Sequence, residues 1–326
     1  MKLLDSIKVL LLPILAPISF LYGLIAFINK KVAFKKYQSP NFVVSVGNLQ
    51  AGGTGKSPFV IALSHLLLDK DIEVSVVFKS YKASLTEPKE VFETDDAKVV
   101  GDEALLCKQL NPRIRVFSGP KKFKSIEFAD TIKNFRGLYI LDDGAQHHKI
   151  KKDFSIMIWD FSVFLLDFFP FPLGRGREFW FLIDKPHVNL TSKYHIKKKS
   201  LFCNHIKHLD YKITKIENPA TLNELNQDYT LISGIGNFQQ FKTKVLEFTS
   251  QQKMKSFIKK PDHSDFSDFQ PQKNCIYVCT EKDYVKLKKL ITPKHLYVVK
   301  SEYSSESLKE IKIIADKIYN LYSNSN

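Results

Sequence analysis

The sequence predicts an α/β protein: a doubly wound parallel sheet, a second and smaller α/β domain, and an N-terminal membrane helix. Three observations carry this. Strand-like and helix-like segments alternate from about residue 37 onward. A glycine-rich turn joins a β-branched strand to a helix between Phe42 and Ser57. An uncharged apolar stretch, Val9 to Ile28, precedes both.

The apolar stretch is interrupted only by Pro13 and Pro17. As a helix of twenty residues it would cover about 30 Å, the thickness of a bilayer core. Lys30, Lys31, Lys35 and Lys36 follow it, and a basic flank of that kind stays on the cytoplasmic side. A secretory signal would be shorter and end in small residues at a cleavage site. The expectation is a membrane anchor over residues 1–36, with the two prolines leaving open a helix that spans or one that lies in the interface.

The next segment reads FVVSVGNLQAGGTGKS. Phe42 to Val46 suits a buried parallel strand, and Gly52, Gly53 and Gly55 let the backbone turn its N–H groups toward an anion. Lys56 then reaches the β- and γ-phosphates, and the Ser57 hydroxyl can ligate Mg²⁺. The helix that follows tolerates Pro58 in its first turn. The sequence therefore calls for a P-loop NTPase-like site in which Gln50, Ala51, Gly52, Gly53, Thr54, Gly55, Lys56 and Ser57 hold ATP. One position departs from the general pattern, which has glycine where this chain has Gln50.

Further strands are expected at Val74–Phe78, Ile114–Phe117, Leu138–Leu141 and Ser155–Trp159, with helices near 58–68, 103–110 and 122–134. The alternation resumes at Tyr229–Ile232, Ile276–Cys279 and Leu296–Val299, with a last helix near Ser305–Tyr322. This divides the chain into 1–36, a P-loop domain over 37–215, and a smaller domain over 216–326 that contributes to the active-site cleft.

With 49 basic and 34 acidic residues the net charge is +15, which favours anionic partners such as phospholipid, phosphorylated substrates or nucleic acid. No recognition helix or interleaved aromatic and basic patch speaks for nucleic acid. Cys107, Cys203, Cys275 and Cys279 form no repeated C-x-x-C pair, which argues against a zinc site and a disulfide framework.

Four clusters carry possible chemistry. LYILDDG ends an apolar strand in Asp142 and Asp143, where such NTPases organise Mg²⁺; an ordinary Asp-Gly turn is the plainer alternative. Asp102 in GDE stands at a loop-to-helix junction, where it would either cap the helix or act as a general base. His263 in PDH sits in a polar, turn-rich segment, and a solvated histidine is its default. Thr280-Glu281-Lys282-Asp283 reads first as a charged helix start.

Together with SGIGN from Ser233 and GRE from Gly176, these pieces resemble the tetraacyldisaccharide 4′-kinase family over nearly the whole chain. The specific combination is GGTGKSP after VGN, DDG-x-QH and TEKD; the family also lacks glycine at Gln50. The resemblance implies transfer of the γ-phosphate of ATP to the 4′-hydroxyl of an acylated glucosamine disaccharide 1-phosphate, giving lipid IVA at the cytoplasmic face of the bacterial inner membrane. It implies Asp102 as base with His263 beside it and Lys56 on the phosphates. Ser57, Asp142, Asp143 and Glu103 would organise Mg²⁺, and Asn48, Gln146, His147 and Arg177 would face the acceptor. The expected partners are ATP, the acylated disaccharide phosphate and inner-membrane lipid, not nucleic acid, for a protein acting as a monomer. Ala145, Ser80, Phe179 and Ser264 depart from the family pattern and bear on acceptor-pocket shape rather than on the reacting groups. The rival reading, a positioning or transport ATPase at the membrane, wants a lysine just before the paired glycines, where Ala51 stands.

Overall fold

The computed structural model describes residues 3–32, 36–132, 135, 137–194, 206–220, 225, 227–249 and 253–325. Lys35, Cys203 and the end of the helix expected over 122–134 lie outside them. In chain order the elements are α1 (Leu3–Leu10), α2 (Leu12–Val32), β1 (Phe42–Gly47), α3 (Lys56–Leu68), β2 (Glu73–Lys79), β3 (Lys89–Glu90), α4 (Ala97–Val100) and α5 (Asp102–Leu110). They continue with β4 (Arg115–Gly119), α6 (Lys122–Asp130), β5 (Gly137–Asp142), β6 (Phe154–Phe161), β7 (Val188–Tyr194), β8 (Ile206–His208), β9 (Tyr211–Glu217) and β10 (Tyr229–Ser233). Last come α7 (Phe238–Phe248), β11 (Met254–Lys259), β12 (Ile276–Thr280), α8 (Glu281–Leu287), β13 (Leu296–Tyr303) and α9 (Ser305–Ser323).

The chain forms two compact units, each assembled from separated stretches. The first comprises 1–78, 121–209 and 309–326; the second comprises 79–120 and 210–308. In the first unit β1 lies between β5 and β6, β2 continues the sheet beyond β5, and β7 and β8 continue it beyond β6; every one of these pairings is parallel. Strands β1 and β5 are buried along almost their whole length, as parallel strands covered on both faces are. That is why they read as unbroken apolar runs and not as alternating ones. The register sets Val46 against Asp142, so β5 delivers its carboxylates beside the point where β1 enters the glycine-rich loop. Helix α9 returns to this unit and buries Ile311, Ile314, Ala315 and Ile318, a stripe at helical spacing.

The second unit carries the antiparallel pair β3–β4 and a five-stranded sheet in the order β11-β10-β12-β13-β9, parallel except for β13–β9. Helices α5 and α8 pack on each other within it.

The N-terminal apolar stretch is two helices, not one. The first ends at Leu10 and the second starts at Leu12. Pro13 has no N–H for the carbonyl four residues back, so one helix ends and the next takes the proline into its first turn. Helix α2 packs one face on its own unit: Ser19 and Gly23 are buried, and the Ser19 hydroxyl donates to the Pro170 carbonyl at 2.6 Å. A Cβ on Gly23 would stand 2.3 Å from the Phe179 ring, so glycine is what lets the helix come this close. Lys8 of α1 pairs with Asp167, and Lys30 near the end of α2 reaches the Leu182 carbonyl and Asp184, each at 2.8 Å.

Candidate active site

The glycine-rich loop is shaped by what surrounds it as much as by its glycines. Gly52 and Gly55 hold φ of 121° and 83°, conformations that side chains with a Cβ resist. Gly55 also forms the N-cap of α3, so the helix begins at Lys56 and turns its first N–H groups toward the loop. Space is open around Gly53, where a Cβ would meet nothing within 4 Å.

Gln50, the position without glycine, is buried and acts as a clamp. Its amide nitrogen donates to the Asp160 carbonyl at 3.1 Å, and its amide oxygen accepts from the Asp160 N–H at 3.4 Å. The loop is thereby bound to the end of β6, the neighbour of β1. The other side of the loop is held by the segment Arg175–Arg177: the Ala51 N–H donates to the Arg175 carbonyl at 2.7 Å and the Arg177 N–H to the Leu49 carbonyl at 3.1 Å. Asn48, expected to face the acceptor, is instead fully buried and donates to the Gln50 carbonyl and to the Thr54 hydroxyl, so it stiffens the loop from within.

Beside the loop, the Arg177 guanidinium donates to both Asp143 oxygens at 2.9 and 2.7 Å and to the Gln146 side chain at 3.0 Å. Gln146 passes the link on to the Asn48 carbonyl at 3.0 Å. Lys56 Nζ stands 3.5 Å from Asp143. Lys122, the buried first residue of α6, donates to the Asp143 carbonyl at 2.9 Å. Burial would raise the Asp143 carboxyl, but Lys56, Lys122 and Arg177 together hold it well below the usual carboxylate range. Burial pushes the Lys122 amine down, against the pull of Asp143 and Asp142. Asp143 itself sits at φ 52°, a strained backbone of the sort that collects at functional positions. His147 lies half-buried in the same turn, its N–H on the Gly144 carbonyl.

The donor set suits Mg²⁺. Ser57 and Asp142 offer hard oxygens at the start of α3 and the end of β5, and this ion takes few protein ligands because phosphates and waters complete its shell. Among the described residues no three Asp, Glu, His or Cys side chains make a self-sufficient metal cage.

The second unit gathers four of the motifs around Asp102. Gly101, with φ 95°, is the N-cap of α5, so Asp102 opens the helix rather than capping it, although its Oδ1 accepts from the Glu103 N–H at 3.0 Å. Asp102 is 7% exposed, and His263 Nδ1 lies 3.1 and 3.2 Å from its two oxygens. His263 adopts φ 60°, and its N–H donates to the Gly234 carbonyl at 3.1 Å, so the SGIGN turn fixes the PDH turn. Gly234 and Ser233 in turn donate to Asp283, at 3.2 and 2.5 Å. Asp283 is buried in the first turn of α8, whose N-cap Thr280 accepts from its N–H. TEKD is therefore a capped helix start, as its residue types suggest, and also the bracket that holds SGIGN. Burial would raise the Asp102 carboxyl, but the His263 hydrogen bond and the charges of Lys282 and Lys286 hold it far below the usual range. Glu103, expected near the metal, points its carboxylate to Lys282 at 3.5 Å.

Sequence reasoning missed Lys122, Lys286 and the clamp role of Gln50. Lysines at buried positions look like any surface lysine in a chain this basic. A glutamine at a glycine's place was readable as a departure that the resembling family shares, with no sign of what its amide would bind.

A family model for tetraacyldisaccharide-1-P 4′-kinase matches residues 11–319. The tetraacyldisaccharide 4′-kinase of Aquifex aeolicus is 32% identical over 300 residues, covering 84% of this chain and 89% of that protein. The enzyme of the same name from Bdellovibrio bacteriovorus is 31% identical over 229 residues, 66% of this chain and 67% of its own. A crystal structure of LpxK from Aquifex aeolicus in complex with ATP superposes with a TM-score of 0.75 at 26% identity, over 96% of this chain and 99% of that one.

Proposed function

Because this chain belongs to the tetraacyldisaccharide-1-P 4′-kinase family, we propose that it moves the γ-phosphate of ATP to the 4′-hydroxyl of a tetraacylated glucosamine disaccharide 1-phosphate, yielding lipid IVA for lipid A synthesis. The observation that carries the mechanism is the cationic frame at the glycine-rich loop: Lys56, Arg177 and Lys122 around the strand-end Asp143. Phosphoryl transfer passes through a loose transition state, so positioning and charge neutralisation dominate. The loop N–H groups and Lys56 bind the β- and γ-phosphates. Asp143, engaged by Arg177, keeps Lys56 aimed at the loop. Ser57 and Asp142 would hold Mg²⁺, which when bound supplies further charge neutralisation on the phosphate oxygens.

In the transfer the 4′-oxygen bonds to the γ-phosphorus, the bond from that phosphorus to the β–γ bridging oxygen breaks, and ADP leaves. The hydroxyl proton goes to the Asp102 carboxylate, with His263 as its partner; a base of this type contributes roughly 10²–10⁴-fold. A carboxylate held this acidic is a weak base. It serves because a loose transition state releases the proton late, when the oxygen is already bonding to phosphorus. Gln146, His147 and Arg177 are the residues offered to the acceptor, while Asn48 shapes the loop.

The acceptor is a lipid, and the first unit has a surface that suits one. Helix α2 exposes Ile14, Ile18, Leu21 and Ile25 away from its packed face, and Phe171, Trp180 and Phe181 are exposed on the segment it packs against. Helix α2 is also held to its own unit at Ser19, Gly23 and Lys30. The reading is therefore in-plane attachment to the cytoplasmic leaflet of the inner membrane, with the basic balance favouring anionic lipid. The test is transfer of ³²P from labelled ATP to purified tetraacyldisaccharide 1-phosphate in mixed micelles. A labelled lipid is expected; ATP hydrolysis with no labelled lipid would overturn the reading.

A further inference from the structure

Asp102 has more cationic partners than a proton-accepting pair requires. Besides His263, Lys286 Nζ stands 3.0 Å from Oδ2 and Lys282 Nζ 3.9 Å from the same oxygen. The two lysines are one turn apart on α8, so a single helix face presents both to the first residue of α5. Lys286 is almost wholly buried, with Asp102 as its anion and the Phe266 ring 5.7 Å away.

Lys282 makes a contact of a different kind. Its Nζ lies 3.2 Å from His263 Nε2. An ammonium group has three donors and no acceptor, so Nε2 must offer its lone pair, and the proton of the neutral ring must sit on Nδ1, facing Asp102. Lys282 has carboxylates on its other sides, Glu103 and Asp262 each at 3.5 Å, which pair with it as an ammonium. The other neighbours of the ring leave this assignment intact: Asp262 is 3.9 Å from Nε2, and Tyr81 meets the ring edge-on at 5.2 Å between centroids.

We propose that Lys282 and Lys286 are positioning residues for the Asp102–His263 pair. Lys286 fixes the ionised carboxylate, and Lys282 locks the imidazole in the tautomer whose N–H points at it. The inference rests on the reading of Asp102 as proton acceptor. It explains why the α8 start is fixed so firmly: Thr280, Asp283, Ser233 and Gly234 together set where these two amines stand.

The experiment uses the full chain in detergent micelles, with ¹⁵N-histidine labelling and ³²P-transfer kinetics on Lys282→Met, Lys282→Arg, Lys286→Met and Lys286→Gln, and on Asp102→Asn as a control. In the wild type the His263 nitrogens should give a protonated Nδ1 and an unprotonated Nε2. Lys282→Met should move them toward a mixed pattern and lower kcat about 10–100-fold with KM for ATP within about twofold, as small misplacements of reacting groups do. Lys282→Arg should keep the wild-type pattern and most of the rate. Lys286→Met, or Lys286→Gln should methionine fail to fold, should lower kcat by a similar factor at unchanged KM. Wild-type kcat in Lys282→Met, or a loss of rate with the tautomer pattern unmoved, would overturn the role of Lys282. Wild-type kcat in a folded Lys286 variant would overturn that of Lys286. If Asp102→Asn alone retains full activity, the underlying reading of the base fails instead.

Discussion

Lys56 is held 3.5 Å from Asp143, and Arg177 and Lys122 remain beside that aspartate when the lysine is removed. Lys56→Ala should therefore lower kcat by at least about 10²-fold while the thermal midpoint stays near wild type; a folded variant with unchanged kcat would remove this loop from the chemistry. Asp102 and His263 share one hydrogen-bonded contact, so their effects should not multiply: Asp102→Ala and His263→Ala each lower kcat, and the double variant should be little worse than the poorer single. Fully multiplicative losses would make their roles independent. A third residue reports on pH. His148 is pulled down to about 4, by burial first and then by Lys152 and Lys30, whereas an unfolded histidine titrates near 6.5. Between those values the unfolded chain binds more protons, so stability falls as pH drops from about 6.5 to about 4. His148→Gln should flatten that part of a urea-midpoint profile, and an unchanged slope would assign the acid loss to other groups. At this scale the sequence was readable where a residue type has few uses. GGTGKS and the Asp102–His263 partnership follow from motif chemistry and family resemblance. Lys286 and Lys122 do not, because what distinguishes them is burial against a carboxylate oxygen 184 residues away and a backbone carbonyl 21 residues away.

The elements were legible for the same reason that they are stable. Strands β1, β2, β5 and β6 are apolar runs closed by turn residues, and the bounds of each lie within two residues of where the pattern put them. What the pattern could not give is contact between elements, and Gln50 shows it. The glycine expected there would leave the loop free of β6, whereas the glutamine amide satisfies both backbone groups of Asp160. Gln50→Gly should cost about 1–3 kcal/mol, since two buried polar groups lose their partners, and should raise KM for ATP as the loop loosens. A variant matching wild type in urea midpoint and KM would show that the clamp holds nothing. The N-terminal helices follow similar logic. Their apolar composition pointed to lipid; what it could not give is the contact of Ser19 and Gly23 with the segment around Pro170 and Phe179, or the tie of Lys30 to Asp184. Deleting residues 1–32 should move the protein out of washed membranes, or into aggregates that detergent disperses, because Phe179 loses its cover. Complete retention in washed membranes would identify another anchor.

For the molecule as a whole, the charge of +15 and the apolar surface of α2 act over different ranges. Electrostatic attraction fades beyond a Debye length of about 8 Å at physiological salt and 3 Å at 1 M, whereas apolar burial does not. Full-length protein should therefore stay on anionic vesicles at about 1 M salt, while any residual binding of the 1–32 deletion should wash off. Salt-released full-length protein would make the attachment electrostatic. The return of the strand-helix rhythm near residue 229 was legible, and β10, β12 and β13 stand where it put strands. Which segments cluster was not: the stretch 79–120 continues the rhythm of the first sheet yet clusters with 210–308, because alternation records local periodicity and carries no record of which distant segment an element will meet.

That interleaving has a consequence for how the chain is made. The first unit needs 309–326 and the second needs residues up to 308, so neither can close until the chain past residue 300 has left the ribosome. Strand β1 and the glycine-rich loop emerge early and must wait for α9, whose Asp316 pairs with Lys70 and whose Tyr322 meets Phe42. The apolar strands of both units are then exposed together, a setting in which chains depend on chaperones. Helices α1 and α2 leave the tunnel before any of these strands, and they carry exposed apolar residues. Early capture at the bilayer would hold the nascent chain apart from its neighbours during that delay.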